Sequence, residues 1–365
     1  MVNAGSSSLK LTLLDAEDTT LAARELGAPG AQIDPRELRD ALASGLGAAD
    51  AVGHRIVHGG ERFYAAVRIA GDVEPQLRLL TELAPLHQPK SLAALDAVSE
   101  VLPDVPAFAC FDTAFHATLP PAAAAYALPA EWRERWHLRR YGFHGLSHGW
   151  VARQAPELLR RDSAGLRIVS CHLGAGASLC AIQDGASVDT TMGFTPLEGL
   201  VMATRSGSVD PGMLLWLLRR EEISPEQMAE ALEHQSGLLG LSGSADMREV
   251  IERADGGDER AGLALAVYLR ALRGAIAAMA ASMGGLDALV FTGGVGERSP
   301  AVRALAVDGL GFLGVAIDAS LNQSAQGDIE ISAEDGAIAT LVIAAREDRE
   351  IARQVRATLA SPDAG

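Results

Sequence analysis

Lysine is almost missing from this chain of 365 residues: Lys10 and Lys90 are the only two, and every other formal cation is arginine. Cysteine is nearly as scarce. Cys110, Cys171 and Cys180 form no C-x-x-C pair and are odd in number, which argues against a disulfide framework or a zinc site and points to a reduced, cytoplasmic protein. The N-terminus carries neither a cationic region nor a long apolar stretch, so no signal peptide is expected. The longest apolar run, residues 274–283, is mostly alanine and stops at Gly284, Gly285 and Asp287. It is too short to span a bilayer and reads as a buried helix. The G-x-x-x-x-G-K-[ST] pattern is absent, which excludes a P-loop NTPase. No cluster of His and Cys suggests zinc, and no nucleophile elbow stands out.

What the chain has in excess is negative charge, a formal −16. That balance makes nucleic acid and anionic membrane poor partners, and a nucleotide enzyme built this way has to concentrate its few cations at the site. Nearly half the residues are hydrophobic, ample for a core, and the length suits two domains at roughly 150 residues each. Strand-like runs at residues 9–14, 51–57, 107–111, 167–171, 288–292 and 340–344 alternate with helix-like runs. The clearest of these cover residues 77–83, 88–101, 148–160, 213–220, 226–234, 259–282 and 348–359. Such alternation predicts an α/β class. The small-residue tail at 361–365 is expected to fray. No linker marks a boundary, and a compact hinge is expected near residues 112–121.

Three glycine segments could hold phosphate or nucleotide. The first, N-A-G-S-S-S-L-K over residues 3–10, offers backbone N–H groups, the Ser6 and Ser8 hydroxyls, and the Lys10 ammonium. The second runs from His172 to Ser178 after an apolar strand; it lacks the third glycine of a dinucleotide fingerprint. The third, residues 291–298, is an apolar strand entering a Gly-Gly-x-Gly turn, with a helix expected from Pro300. The first two echo each other as a small-residue turn followed by an apolar strand, and they lie in opposite halves of the chain. Together the three favour a nucleotide in a cleft between two domains. Arg55 and His58, Asp112 and His116, His144, and Arg205 occupy loops at strand ends or between glycines, where α/β proteins place ligand chemistry. A set rich in cations and hydroxyls suits phosphoryl transfer, which needs charge neutralisation more than covalent help.

Five motifs, N-A-G-S-S-S-L-K (3–10), H-R-I-V-H-G-G (54–60), F-D-T-A-F-H (111–116), Y-G-F-H-G (141–145) and the run 192–211, resemble the acetate kinase family over nearly the whole chain. The resemblance implies a duplicated two-domain ribonuclease H-like fold of the actin-like ATPase superfamily. It implies an N-terminal domain of residues 1–112 completed by helix 348–365, a nucleotide domain of residues 113–347, and a homodimer. It implies reversible, magnesium-dependent transfer of the ATP γ-phosphoryl group to acetate or another short-chain carboxylate, with manganese as an alternative ion. Arg55 and Arg205 would clamp the anions and His144 would donate to the migrating group. Asp112 would orient the arginines or organise magnesium-bound water, and Asn3 and Glu347 would stand at the metal. Arg55, Val57, Leu86, Phe143 and Pro196 would bind the acid. The nucleotide would meet Lys10, then His172, Leu173, Gly174, Ala175 and Gly176, then Asp246, Met247 and Arg248, and finally Gly294, Val295, Gly296, Glu297 and Arg298. A propionate-preferring enzyme and a non-catalytic nucleotide-binding relative are the alternatives. Four features depart from the family: Ala175, Arg298 and Arg346 each stand where asparagine is usual, and relatives carry several apolar residues before the position of Asn3. On the last point, either the first strand is short or the true start lies upstream.

Overall fold

The computed structural model describes residues 1–5, 8–27, 34–43, 49–84, 88–220 and 223–361. The chain divides into two compact units. The first comprises Met1–Ala117, Phe143–Trp150 and Arg346–Gly365; the second comprises Thr118–Gly142 and Val151–Ala345. His144 and the start of its helix therefore group with the first unit, whereas the sequence reading assigned residues 113–347 to the second.

Each unit is built on one six-stranded mixed sheet. In the first unit the strands are β1 (Val2–Ala4), β2 (Ser8–Leu14), β3 (Thr20–Gly27), β4 (Val52–Ile56), β5 (Val67–Arg68) and β6 (Ala107–Phe111). They lie in the order β3-β2-β1-β4-β6-β5. In the second unit β7 (Arg167–Leu173), β8 (Ala177–Gln183), β9 (Ala186–Thr190), β10 (Ala288–Thr292), β11 (Ile329–Glu330) and β12 (Ala339–Val342) lie in the order β9-β8-β7-β10-β12-β11. Subtracting six from each number of the second order gives the first. The directions match as well. An antiparallel triplet opens each sheet, two parallel crossovers follow, and a short antiparallel strand closes the edge. The fold is thus a duplication. The two glycine turns that echo each other in sequence join the equivalent hairpins, β1 to β2 and β7 to β8.

Alternation along a strand sends successive side chains to opposite faces, and β6 uses both. Phe108 and Cys110 pack with Leu146, Ile351 and Val355, while Ala109 and Phe111 pack with Ile56, Leu77, Leu92 and Leu95. A strand buried on both faces reads as a continuous apolar run, which is why this one is plain in the sequence. Burial pushes the Cys110 and Cys180 thiols up to about 12 and Cys171 in the same direction, so all three are buried, unreactive side chains.

One expectation needs correction. The third glycine segment is not an open turn: Gly293–Arg298 forms a short helix of its own, followed by helix Pro300–Asp308. The run 274–283 is the second half of helix Glu259–Ser282. By length and composition that helix could cross a membrane. Tyr268, Leu272, Ile276 and Met279 are nevertheless buried along one face, the pattern of a helix that packs one apolar stripe on a core. The tail from residue 362 lies outside the described residues.

Candidate active site

In the first unit four predicted residues converge. Arg55 stands on β4, Asp112 follows the end of β6, Asn3 lies in β1 and Glu347 opens helix Glu347–Leu359. The Arg55 Nε donates to both Asp112 oxygens, at 3.1 and 3.0 Å, and Nη2 donates to Oδ2 at 2.6 Å. Nη1 donates to Asn3 Oδ1 at 3.1 Å. The Asn3 amide donates to Glu347 Oε2 at 2.9 Å, and that same oxygen lies 3.9 Å from Arg55 Nε. Burial opposes the Arg55 charge, but Asp112 and Glu347 outweigh it and raise its pKa. Burial pushes the Asp112 carboxyl up against the pull of Arg55. Three of the five guanidinium N–H groups are engaged, which leaves one on each terminal nitrogen to grip an anion in bidentate fashion.

His144 follows directly on Phe143, with a backbone φ of 56°, a left-handed value that costs a non-glycine residue energy and is found where geometry is imposed. The next residue imposes it. Gly145 N–H donates to the Asp112 carbonyl at 2.8 Å, and a Cβ on Gly145 would sit 2.2 Å from that oxygen. Gly145→Ala is therefore expected to lose about 1–3 kcal/mol to overpacking, read from urea denaturation; an unchanged midpoint would contradict the close approach. The spacing Gly145-Leu-Ser-His-Gly149 does satisfy G-x-S-x-G, which the sequence reading passed over. It lies inside helix Gly145–Leu159 rather than on a strand-to-helix turn, and Ser147 is fully buried, so it is no nucleophile elbow. Phe143 and Val57 are buried, with the Phe143 ring edge-on to His58 at 5.6 Å. Leu86 lies outside the described residues, as does Ser6. The Ser8 hydroxyl is turned to Glu25 at 2.7 Å. Lys10 pairs with Asn3 across the β1–β2 ladder and is exposed.

The second unit holds the remaining candidates. β7 and β10 are parallel neighbours with His172 opposite Thr292, so the His172–Gly176 turn and the Gly293–Arg298 helix leave the same sheet edge side by side. Gly293 adopts a φ of +77°, and a Cβ there would lie 2.8 Å from the Leu173 carbonyl, so only glycine lets the two loops approach. The Ala175 carbonyl accepts the Ala203 N–H at 3.1 Å, which links the turn to the Arg205 loop although the side chain at 175 is only a methyl. Arg205 Nη1 donates to the Pro196 carbonyl at 3.2 Å, and Nε lies 3.4 Å from Glu233. Burial lowers the Arg205 pKa against the pull of Glu233. Asp246 caps helix Met247–Asp255 and pairs with the exposed Arg248 at 2.6 Å, whose hydrogen bond pulls the carboxyl down to about 2. Arg298, Glu297, Pro300, Gln323 and Gln326 line a cleft of about 310 Å³. In the first unit, Arg346, which stands where the family usually has asparagine, donates two hydrogen bonds to Asp348, at 2.9 and 2.8 Å.

Sequence reasoning missed the clamp on the Pro196 loop. Tyr126 OH donates to Glu198 Oε2 at 2.5 Å and accepts the Phe194 N–H at 2.8 Å, while Arg140 Nη2 donates to Glu198 Oε1 at 3.0 Å. Gly193 is hemmed in by both acid and phenol. The one signal was Glu198 itself, a carboxylate in a stretch, residues 192–200, otherwise made of small and apolar residues.

Comparison with known proteins places the chain in a family. The profile of the acetokinase family matches residues 36–353. The chain is 49% identical over 310 residues to an acetate kinase of Trichormus variabilis, which covers 85% of this chain and 76% of that one. It is 42% identical to an acetate kinase of Dictyoglomus thermophilum, with 97% of each covered. Among solved structures, the acetate kinase of Porphyromonas gingivalis superposes with a TM-score of 0.88 at 35% identity, covering 98% of both chains. A propionate kinase of Francisella tularensis gives 0.89 at 35% identity over 97% of both. The two-sheet duplication is therefore the fold of those enzymes, and this chain belongs to the acetokinase family.

Proposed function

We propose that the protein transfers the γ-phosphoryl group of ATP reversibly to acetate, forming acetyl phosphate and ADP. The observation that carries the reading is the Arg55 guanidinium, fixed by Asp112 and Asn3 with two N–H donors to spare, in a chain of the acetokinase family. The acceptor carboxylate is already ionised at neutral pH and needs no strong base. The obstacle is repulsion between two anions. Arg55 binds the acid and the incoming phosphoryl oxygens, Arg205 supplies the second cation, and His144 donates to the transferring group as charge spreads over its oxygens. Asp112 holds the Arg55 plane in place. Val57 and Phe143 give the first unit an apolar surface for the methyl, and the two glycine segments that follow β7 and β10 hold the nucleotide.

Among the described residues no group of three or more His, Cys, Asp and Glu side chains is placed for a metal. Asn3 and Glu347, in mutual hydrogen-bond contact, offer hard oxygen ligands that suit magnesium, an ion that keeps waters and takes its other ligands from phosphates. When bound, magnesium would neutralise charge on the nucleotide phosphates. The proposed assembly is a cytoplasmic homodimer: helix Pro211–Leu218 buries no residue and leaves Met213, Leu215 and Trp216 exposed, an apolar face of the kind that mediates association.

Hydroxylamine trapping tests the activity. Acetate with ATP and magnesium should yield acyl hydroxamate, and no product would refute the proposal. The Francisella likeness favours propionate as a second acceptor. One methylene in an apolar pocket discriminates by only about 1–3 kcal/mol, so kcat/KM over acetate, propionate and butyrate is expected to peak at acetate with propionate about tenfold or more below.

A further inference from the structure

Arg303, on helix Pro300–Asp308, is fully buried. No carboxylate lies beside it among the described residues; every oxygen it meets is neutral. Nη1 donates to the carbonyls of Gly296 at 2.8 Å and Glu297 at 2.7 Å. Nε donates to Asn322 Oδ1 and Nη2 to the Asn322 carbonyl, both at 2.7 Å. Asn322, itself 4% exposed, donates its amide to the Pro300 carbonyl at 3.0 Å.

A buried guanidinium without a counter-ion is costly, and an apolar side chain would fill the same space more cheaply. The cations's surroundings show what it does instead. Gly296 and Glu297 belong to the last turn of helix Gly293–Arg298, whose carbonyls have no partner within the helix and whose dipole is negative at that end. A helix of six residues with three glycines has little intrinsic stability. It needs a tie from outside, and Arg303 provides one on the side away from the exposed Gly294 and Arg298.

We propose that Arg303 is the positioning residue for the nucleotide: with Asn322 it fixes the Gly293–Arg298 segment from behind, so that the loop meets ATP preformed. The proposal rests on the phosphotransferase reading above. Lysine cannot replace it, because one ammonium cannot span four oxygens that a planar guanidinium reaches together.

The test uses Arg303→Lys, with Asn322→Ala as a milder variant. It reads kcat, KM for ATP, KM for acetate, and amide hydrogen exchange across residues 293–298. Arg303→Lys should raise KM for ATP at least tenfold, leave KM for acetate within twofold, and speed exchange at 293–298 at least tenfold while β10 stays protected. Asn322→Ala should move the same quantities less, and it decides the matter if Arg303→Lys does not fold. An unchanged KM for ATP, or equal rises in both KM values, overturns the proposal. Wild-type protein that makes no acyl phosphate refutes the phosphotransferase reading; unchanged exchange at 293–298 refutes the anchoring whether or not the enzyme turns over.

Discussion

Arg55→Ala should lower acyl phosphate formation by roughly 10²–10³ or more, the usual cost of deleting a preorganised charge-stabilising donor, and should destabilise the fold at the same time. The two losses have separate causes. Asp112 is 1% exposed, and every guanidinium hydrogen bond to it comes from Arg55. Removing the cation strands a buried carboxylate, which costs about 3–5 kcal/mol. The double variant Arg55→Ala/Asp112→Asn removes the charge as well as its partner, so it should regain most of the stability and none of the activity. A double-mutant cycle by urea denaturation, run beside the hydroxylamine assay, reads both. A double variant that regains turnover would mean that Arg55 serves only to neutralise Asp112, and a single variant with wild-type rates would remove it from the chemistry altogether.

The Arg55–Asp112 pair illustrates how much the sequence could disclose. Asp112 follows β6, a strand apolar on both faces that appears as a continuous hydrophobic run, whereas Arg55 lies within β4, where His54 and Arg55 itself interrupt the apolar pattern. β3 was invisible by contrast: its burial pattern is almost wholly exposed, and Arg24 and Glu25 give it no alternation to read. Strands of two or three residues, such as β1, β5 and β11, are too short to carry a period at all. For that reason the duplication surfaced in sequence only as an echo between two glycine turns, although the strand order repeats without exception. His144 groups with the first unit by contacts, which contiguity in sequence could not suggest. The Gly145 N–H bond to the Asp112 carbonyl that ties this segment to the first unit is a main-chain contact between residues far apart in the chain. Arg303 looked like any arginine on an amphipathic helix. Nothing in local composition distinguishes a cation that solvates two carbonyls from one that points to water.

Acid should unfold this protein well above the carboxylate range, because burial lowers the pKa of three buried histidines of the first unit, His54, His58 and His116. His54 is 1% exposed, with no hydrogen-bond partner for either ring nitrogen, and burial pulls its pKa down to about 3. Burial likewise lowers His58 and His116 to about 4 each. Their contacts fit neutral rings: His58 Nδ1 accepts the Gly60 N–H at 2.8 Å, and His116 Nε2 donates to the Phe143 carbonyl at 3.0 Å. In the unfolded chain each titrates near 6.5. Below that pH the unfolded state binds protons that the folded state refuses, so stability is complete above about 6.5 and falls as pH drops towards 4. At pH 5 the loss is about 2 kcal/mol per histidine, roughly 6 kcal/mol for the three, against a typical total of about 5–15 kcal/mol. Asp112 works in the opposite sense, since burial raises its carboxyl, but one group does not offset three. Urea midpoints should therefore fall steeply from pH 7 to pH 5, and His54→Gln should flatten the slope by about one proton's share, a third of the total. A midpoint that stays level over that interval would show that these rings are hydrated or charged in the folded protein. The electrostatic isolation that keeps the Arg55–Asp112 pair strong would then be lost as well, since His54, Arg55 and His58 share one strand and its immediate continuation.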